Sequence, residues 1–169
     1  MDTVPLVAVD DPRPAPADLD VGLLAMFVGL SSAERTSAAL ADAGFGDLRF
    51  SHGFLIQHLV LTSRTVTDLA ALQGVSVQAV SKVVKELVGM GYLVLEPDPN
   101  DGRARQVTLT PRARQAVDAG RVARTALDDD LRTALGARRH QQLHRSLVDA
   151  LDALGGSEGV ELRRIRLPS

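Results

Sequence analysis

Thr65-Val-Thr-Asp68-Leu-Ala70-Ala-Leu-Gln-Gly74-Val-Ser76-Val-Gln-Ala-Val80-Ser-Lys82 is the run whose reading decides the fold. Thr65 can cap a helix, and Asp68 three residues on makes a weak capping box with it. The helix it opens, Val66–Leu72, is short and ends near Gly74. Ser76 can cap a second helix. Val77, Val80, Val83, Val84 and Leu87 form the apolar stripe of that helix, and Gln78, Ala79, Ser81, Lys82 and Lys85 face away from it. Gly91 fits a left-handed stop. Two short helices joined by a glycine-containing turn suggest a helix-turn-helix. Ala70 is small where the helix axes must approach, Gly74 suits a positive φ in the turn, and Val80 can pack back onto the first helix.

Downstream the apolar period drops to two. Tyr92-Leu-Val-Leu95 and Gln106-Val-Thr-Leu109 read as short strands, and Asp98-Pro-Asn-Asp-Gly102 between them is dense turn chemistry. They form a hairpin with Arg103 and Arg105 at its polar tip. Thr110-Pro111 starts another helix, with proline where its missing N–H costs nothing. A helix-turn-helix followed by an arginine-tipped hairpin is a winged helix. Its helix fits the major groove of duplex DNA and reads base edges, while an arginine on the wing can enter the minor groove, where the potential is most negative. The bland alternative for Arg103 and Arg105 is local pairing with Asp98 and Asp101, and the two are compatible.

Outward from this centre the chain is helical. Residues 1–18 carry four prolines and four aspartates and read as a disordered acidic arm. Leu23, Met26, Phe27 and Leu30 recur at helical spacing, the helix can continue to Leu40, and Gly44 and Gly46 break it. A second helix is expected over Arg49–Leu61. Past Arg112 a long helical region is interrupted near Gly136. Leu143, Leu147, Leu151 and Leu154 stripe its last helix, which Gly155-Gly156 ends. The expected organisation is an arm (1–18), N-terminal body helices (19–61), a winged lobe (62–110), C-terminal dimerisation helices (111–155) and a basic tail (156–169). The fold class is mainly α with a small β-hairpin wing.

At 169 residues and 18.0 kDa the chain is about one domain long. The absence of cysteine excludes disulfides, thiolate metal sites and a cysteine nucleophile. No apolar run approaches the ~18 residues of a membrane span, and a cytoplasmic location is the expectation. Aromatic residues at 3% leave little for a base-stacking platform. The net charge of -2 hides an asymmetry. Residues 1–48 hold eight acids against two arginines, whereas residues 64–114 hold seven basic and five acidic side chains.

The run Asp98-Pro-Asn-Asp-Gly-Arg-Ala-Arg-Gln-Val-Thr-Leu-Thr110 resembles the wing signature of the MarR family of bacterial transcription regulators. Val66–Ala70, Gln78–Lys82, Glu86-Leu87 and Gly91-Tyr92 are similar to that family's paired helices. The close likeness covers about residues 59–116. It implies a homodimer interlocked through its first and last helices, binding a pseudo-palindromic operator in double-stranded DNA. The expected role is that of a repressor, by steric occlusion of a promoter, and the resemblance implies release by a small anionic or phenolic effector. By position, the helix from Ser76 to Met90 is the recognition helix, Arg103 the wing arginine and Asp101 the acid that braces the wing. Thr65, Thr67, Ser76, Gln78, Ala79, Ser81, Lys82, Lys85, Arg103 and Arg105 are the DNA-contact candidates, with Asp98 and Asp101 as wing supports. Gly102 departs from the family, since a second basic residue is common there. The recognition helix carries no arginine, so guanine readout falls to Lys82 or Lys85, and Gln78 suits an adenine edge.

His52 and His58 are candidates for an effector cleft, which in the family lies near the body–lobe junction; core or surface roles compete. His140 and His144, four apart, could pair on a metal, but the nearest acids, Asp128–Asp130, lie too far along the chain to join them by sequence alone. No metal, cofactor or catalytic constellation is expected. Two rival readings stay open: an adaptor that keeps the fold but works through protein partners, and a small-molecule-binding or enzymatic helical protein.

Overall fold

The computed structural model describes residues 15–97 and 105–161. The expectations for residues 1–14, for the wing tip with Asp98, Asp101, Gly102 and Arg103, and for residues 162–169 lie outside the described residues. Within them the chain runs α1 (Val21–Leu40), α2 (His52–Ile56), β1 (Arg64–Thr65), α3 (Val66–Gln73), α4 (Val77–Gly89), β2 (Leu93–Pro97), β3 (Arg105–Leu109), α5 (Pro111–Leu135), α6 (Ala137–Ala153) and α7 (Ser157–Glu161). This is a mainly α fold with a small antiparallel sheet of order β1-β3-β2.

The lobe forms as its caps dictate. The Thr65 hydroxyl accepts from the Asp68 N–H at 3.1 Å and donates to the Asp68 carboxylate at 2.8 Å, so the capping box is complete. Ser76 caps α4 through the Ala79 N–H. Gly74 adopts φ 67° between the helices, a left-handed conformation that costs other residues about 1–2 kcal/mol. Ala70 and Val80 are buried where the helices meet, with Leu69 and Leu87 beside them. Val77, assigned above to the apolar stripe, is 47% exposed. It lies one turn before Val80, beyond the reach of α3, so the buried stripe begins at Val80.

In the hairpin, Leu93 pairs with Leu109 and Pro97 with Arg105. Leu93, Val107 and Leu109 turn into the core. β1 adds Arg64 and Thr65 to the free edge of β3. Two residues are too short to show a period, so sequence did not reveal this strand. The helix expected over Arg49–Leu61 is much shorter. α2 spans five residues and tightens into a 3-10 turn over Gln57–Leu59. The chain must turn there to enter β1, and Arg64 Nε fixes the bend by donating to the His58 carbonyl at 3.1 Å.

The body is built on α1 and α5, which pack side by side. Arg35 reaches Asp130 at 2.6 Å, and a Cβ on Gly120 would meet Leu40 at 3.9 Å. Gly136, at φ 78°, ends α5 and reverses the chain into α6. That reversal sets His140 Nε2 2.9 Å from Asp128 Oδ1, a pairing across the turn that residue spacing alone did not suggest. α1 and α6 contain no buried residue. Met26, Phe27 and Leu30 on α1, and Leu143, Leu147, Val148 and Leu151 on α6, are all exposed apolar side chains.

One polar cluster joins the body to the lobe. Asp47, in the loop after α1, accepts from the Tyr92 hydroxyl at 2.5 Å and from Arg112 Nη2 at 3.0 Å. Arg112 also donates to the Tyr92 hydroxyl at 3.1 Å and stacks over its ring, 4.6 Å from the centroid. Tyr92 is fully buried. Tyr92→Phe keeps the ring but removes both hydrogen bonds, and should lower the unfolding free energy in urea by about 1–2 kcal/mol. Unchanged stability would show that the cluster contributes nothing to the junction.

Candidate functional site

The outer face of the helix-turn-helix is where the sequence argument places contact with a duplex. Gln78, Ala79, Ser81, Lys82 and Lys85 are all exposed on α4, on the side away from Val80, Val84 and Leu87. Val75 and Val77, both about half exposed, extend this face with apolar surface; sequence had placed Val77 on the buried stripe. Thr67 is exposed at the start of α3. The hydroxyls of Thr65 and Ser76 are engaged in helix caps, so their contribution is to hold N-termini in place. Arg105 is exposed, and its Nη1 reaches the Leu95 carbonyl at 3.5 Å across the hairpin. The face therefore carries two ammonium groups, one amide and two valines, with no acid among the residues named.

Behind that face, α4 is tied to the body. Arg49, in the loop before α2, places Nη2 2.6 Å from Glu86 Oε2 on α4. The Glu86 carboxyl is held below its usual range, first by this hydrogen bond. His52 lies beside the pair, fully buried, with Nε2 3.7 Å from Glu86 Oε1. Its Nδ1 accepts from the Arg49 backbone N–H at 3.2 Å. In a neutral ring that places the proton on Nε2, facing Glu86. Burial lowers the His52 pKa, the Arg49 charge adds to this, and Glu86 opposes it.

A cavity of about 540 Å³ opens between α1, α2 and α5. Leu40, Leu48, Phe50, Phe54, Ile56, Val60 and Val117 supply apolar wall, and Arg49, Arg121 and Arg124 supply positive charge. Among the described residues no carboxylate lines it. Arg121 is paired with Asp118 at 2.9 Å. Arg124 has no acidic partner among the described residues, and its Nη1 lies 3.5 Å from where a Cβ on Gly120 would sit. A smaller recess between α1 and α5 adjoins the cavity, sharing Thr36, Phe50 and Arg124.

His52 and His58 do not line this cavity. Both are buried: His52 faces Glu86 of α4 and His58 lies in the 3-10 turn, while Gly53, Phe54 and Ile56 of α2 and Gln57 after it line the cavity. The cavity arginines were missed. Their signal was the small residues Ala116 and Gly120, which line the cavity on α5 beside Arg121 and Arg124. Among the described residues no group of three or more His, Asp or Glu side chains is arranged to hold a metal ion, and no helix is long and apolar enough to cross a membrane.

Residues 54–104 match the model of the MarR family. Solved structures share the fold. YusO from Bacillus subtilis superposes with a TM-score of 0.65 at 16% identity, over 79% of this chain and 94% of that one. MarR from E. coli in its apo form gives 0.60 at 21%, over 79% and 98%. A mutant of MepR from S. aureus, bound to an oligodeoxyribonucleotide, gives 0.60 at 17%, over 80% and 99%. No curated protein matches the chain significantly by sequence.

The buried His52 has a consequence for stability. Its folded pKa is depressed, so the unfolded chain binds a proton that the folded chain refuses. Its contribution is therefore complete above about pH 6.5, the ordinary imidazole value, and is lost as the pH falls below it. Urea unfolding should show stability dropping from pH 7 to 5, and His52→Gln should flatten that drop. An equal slope in the variant would remove His52 as the source.

Proposed function

We propose that this chain, with the MarR-family segment at its centre and a MarR-type winged helix as its fold, is a homodimeric transcription regulator acting on double-stranded DNA. The observation that carries the reading is the outer face of α4: an acid-free surface of Gln78, Ser81, Lys82 and Lys85 on a helix whose opposite side is locked into the core. A helix so presented fits a major groove. Lys82 and Lys85 suit guanine or phosphate, Gln78 an adenine edge, and Val75 and Val77 a thymine methyl. Arg103, and Arg105 at the tip end of the hairpin, supply the minor-groove contact, with Asp98 and Asp101 as wing supports.

The exposed apolar faces of α1 and α6 support the dimer. Monomeric proteins rarely leave contiguous patches of this kind in water. A second copy covering them sets two recognition helices about one turn of DNA apart (~10 bp). Repression follows by occlusion of a promoter in the cytoplasm. The cavity supports an effector. Apolar walls, three guanidinium groups and no carboxylate suit a small aromatic or aliphatic anion. Such a ligand releases DNA by favouring a spacing of the helices that the operator does not fit.

The purified protein should sediment at twice its 18.0 kDa chain mass, and Leu147→Glu, which puts a charge on the α6 face, should shift it towards one. A dimer unmoved by that change would place the interface elsewhere. Selection from a random duplex pool should enrich a pseudo-palindrome. On the enriched site, Lys82→Ala or Arg103→Ala should each weaken binding by roughly 1–3 kcal/mol. Folded protein that enriches no sequence would favour the adaptor that acts through protein partners.

A further inference from the structure

We propose that Arg49 couples the cavity to the recognition helix: an anion seated in the cavity draws the Arg49 guanidinium away from Glu86 and so frees α4 from the body. The inference rests on the effector reading above and specifies how that site reaches the DNA-binding face.

Arg49 has two roles in one place. It forms part of the cavity wall, and it holds Glu86 at 2.6 Å. Glu86 follows Lys85 directly, so the ion pair grips α4 next to the side chains offered to DNA. The Arg49 side chain is 60% exposed, which leaves it free to swing. Arg124 on α5 also lines the cavity, with no acidic partner among the described residues and its guanidinium beside Gly120. A bound carboxylate or sulfonate satisfied by Arg124 alone would keep unused acceptor capacity, because each such group accepts several hydrogen bonds. Arg49 and Arg121 are the other guanidinium groups on the cavity wall, each paired with an acid, Glu86 and Asp118 respectively, and of the two only the Arg49 pair reaches α4.

Glu86 is not left stranded by this exchange. Its other neighbour is the Nε2 of His52, 3.7 Å away and carrying the ring proton. The carboxylate can close that gap by turning towards α2, which leaves α4 without its ion pair to Arg49. The anion and Glu86 therefore compete for one guanidinium. By reciprocity, whatever factor the ligand costs the Arg49–Glu86 contact, that contact costs the ligand. An exposed pair of this type is worth about threefold in an equilibrium constant.

The test uses anilinonaphthalene sulfonate, an aromatic anion that brightens in an apolar cavity, on the full chain. Affinity is read by fluorescence, and the mobility of α4 by amide hydrogen exchange. Arg124→Gln should weaken dye binding several-fold. Glu86→Gln should tighten it about threefold, because Arg49 no longer has a competitor. In the wild type the dye should speed exchange along α4, and in Glu86→Gln it should add nothing. Arg49→Gln should both weaken the dye and abolish its effect on α4. If dye binding depends on Arg124 but is equal in Glu86→Gln and wild type, the coupling through Arg49 is overturned while the effector cavity stands. If the dye fails to bind, or binds equally without Arg124, the effector reading falls and this inference falls with it.

Discussion

The Asp47 carboxylate is the constraint on which the arrangement of body and lobe depends. It sits in the loop after α1, accepts from the Tyr92 hydroxyl at the root of the hairpin, and is paired with Arg112 on the first turn of α5. Three segments distant in sequence thus meet on two oxygens. The Tyr92 hydrogen bond, more than the Arg112 charge, holds the Asp47 pKa down. Burial and the neighbouring carboxylate push the Tyr92 hydroxyl up, so it remains a donor at any physiological pH. The root of the wing and the start of the long body helix are consequently fixed to each other. Thr110 strengthens the same corner: its hydroxyl donates to the Gly91 carbonyl at 2.8 Å and accepts from the Ala113 N–H as the cap of α5.

The same loop that carries Asp47 also carries Leu48, Arg49 and Phe50. Its first residue anchors the lobe and the next three form cavity wall. A joint of this design is stiff at one end and adjustable at the other. The Asp47 cluster involves a fully buried ring, whereas the Arg49–Glu86 pair lies at the surface. Exposed pairs are worth little and are readily exchanged for another partner. Rotation of the lobe about its wing root is therefore cheaper than separation from the body, and rotation is the motion that changes where α4 points.

What could be read from sequence was whatever local chemistry alone decides. Thr65 with Asp68, Ser76, Gly74 and Thr110-Pro111 are caps and turns whose geometry follows from a few adjacent residues, and each adopts the conformation its type requires. Ala70 and Val80 were legible because a helix-turn-helix has one close approach at a fixed offset. What escaped depends on tertiary context. β1 exists because β3 offers an edge, not because Arg64 and Thr65 favour a strand. α2 stops early because the chain must turn into that strand. Val77 matches the helical period of a buried residue, yet α3 ends before it can cover it. The cavity was invisible for a related reason. It is space left between three helices; Arg121 and Arg124 share a face of α5, but no periodicity relates them to Arg49 in a distant loop. The histidines chosen for it are buried elsewhere, His52 beside Glu86 of α4 and His58 in the 3-10 turn after α2, which so short a helical segment does not reveal.

The electrostatics of the recognition face make the rest of the molecule matter more. With two lysines and no arginine, α4 lacks a fork that can grip a guanine edge in a fixed geometry. A lysine contact is a compact point charge on a flexible stem, tolerant of small displacements. In the dimer proposed above, affinity on such a face would come from bringing many modest contacts into register together, across both protomers and both wings. Register would be set by the span between the two recognition helices, and that span by how each lobe is held on its body. A protein with weak individual readers is therefore one in which a small rotation at the body–lobe joint has a large effect on binding. The acidic N-terminal third sharpens the requirement, because long-range attraction to a polyanion is weak for a chain of net charge -2. Contact must be won at short range by the basic face of the lobe, and the joint that aims this face is then the natural point of control.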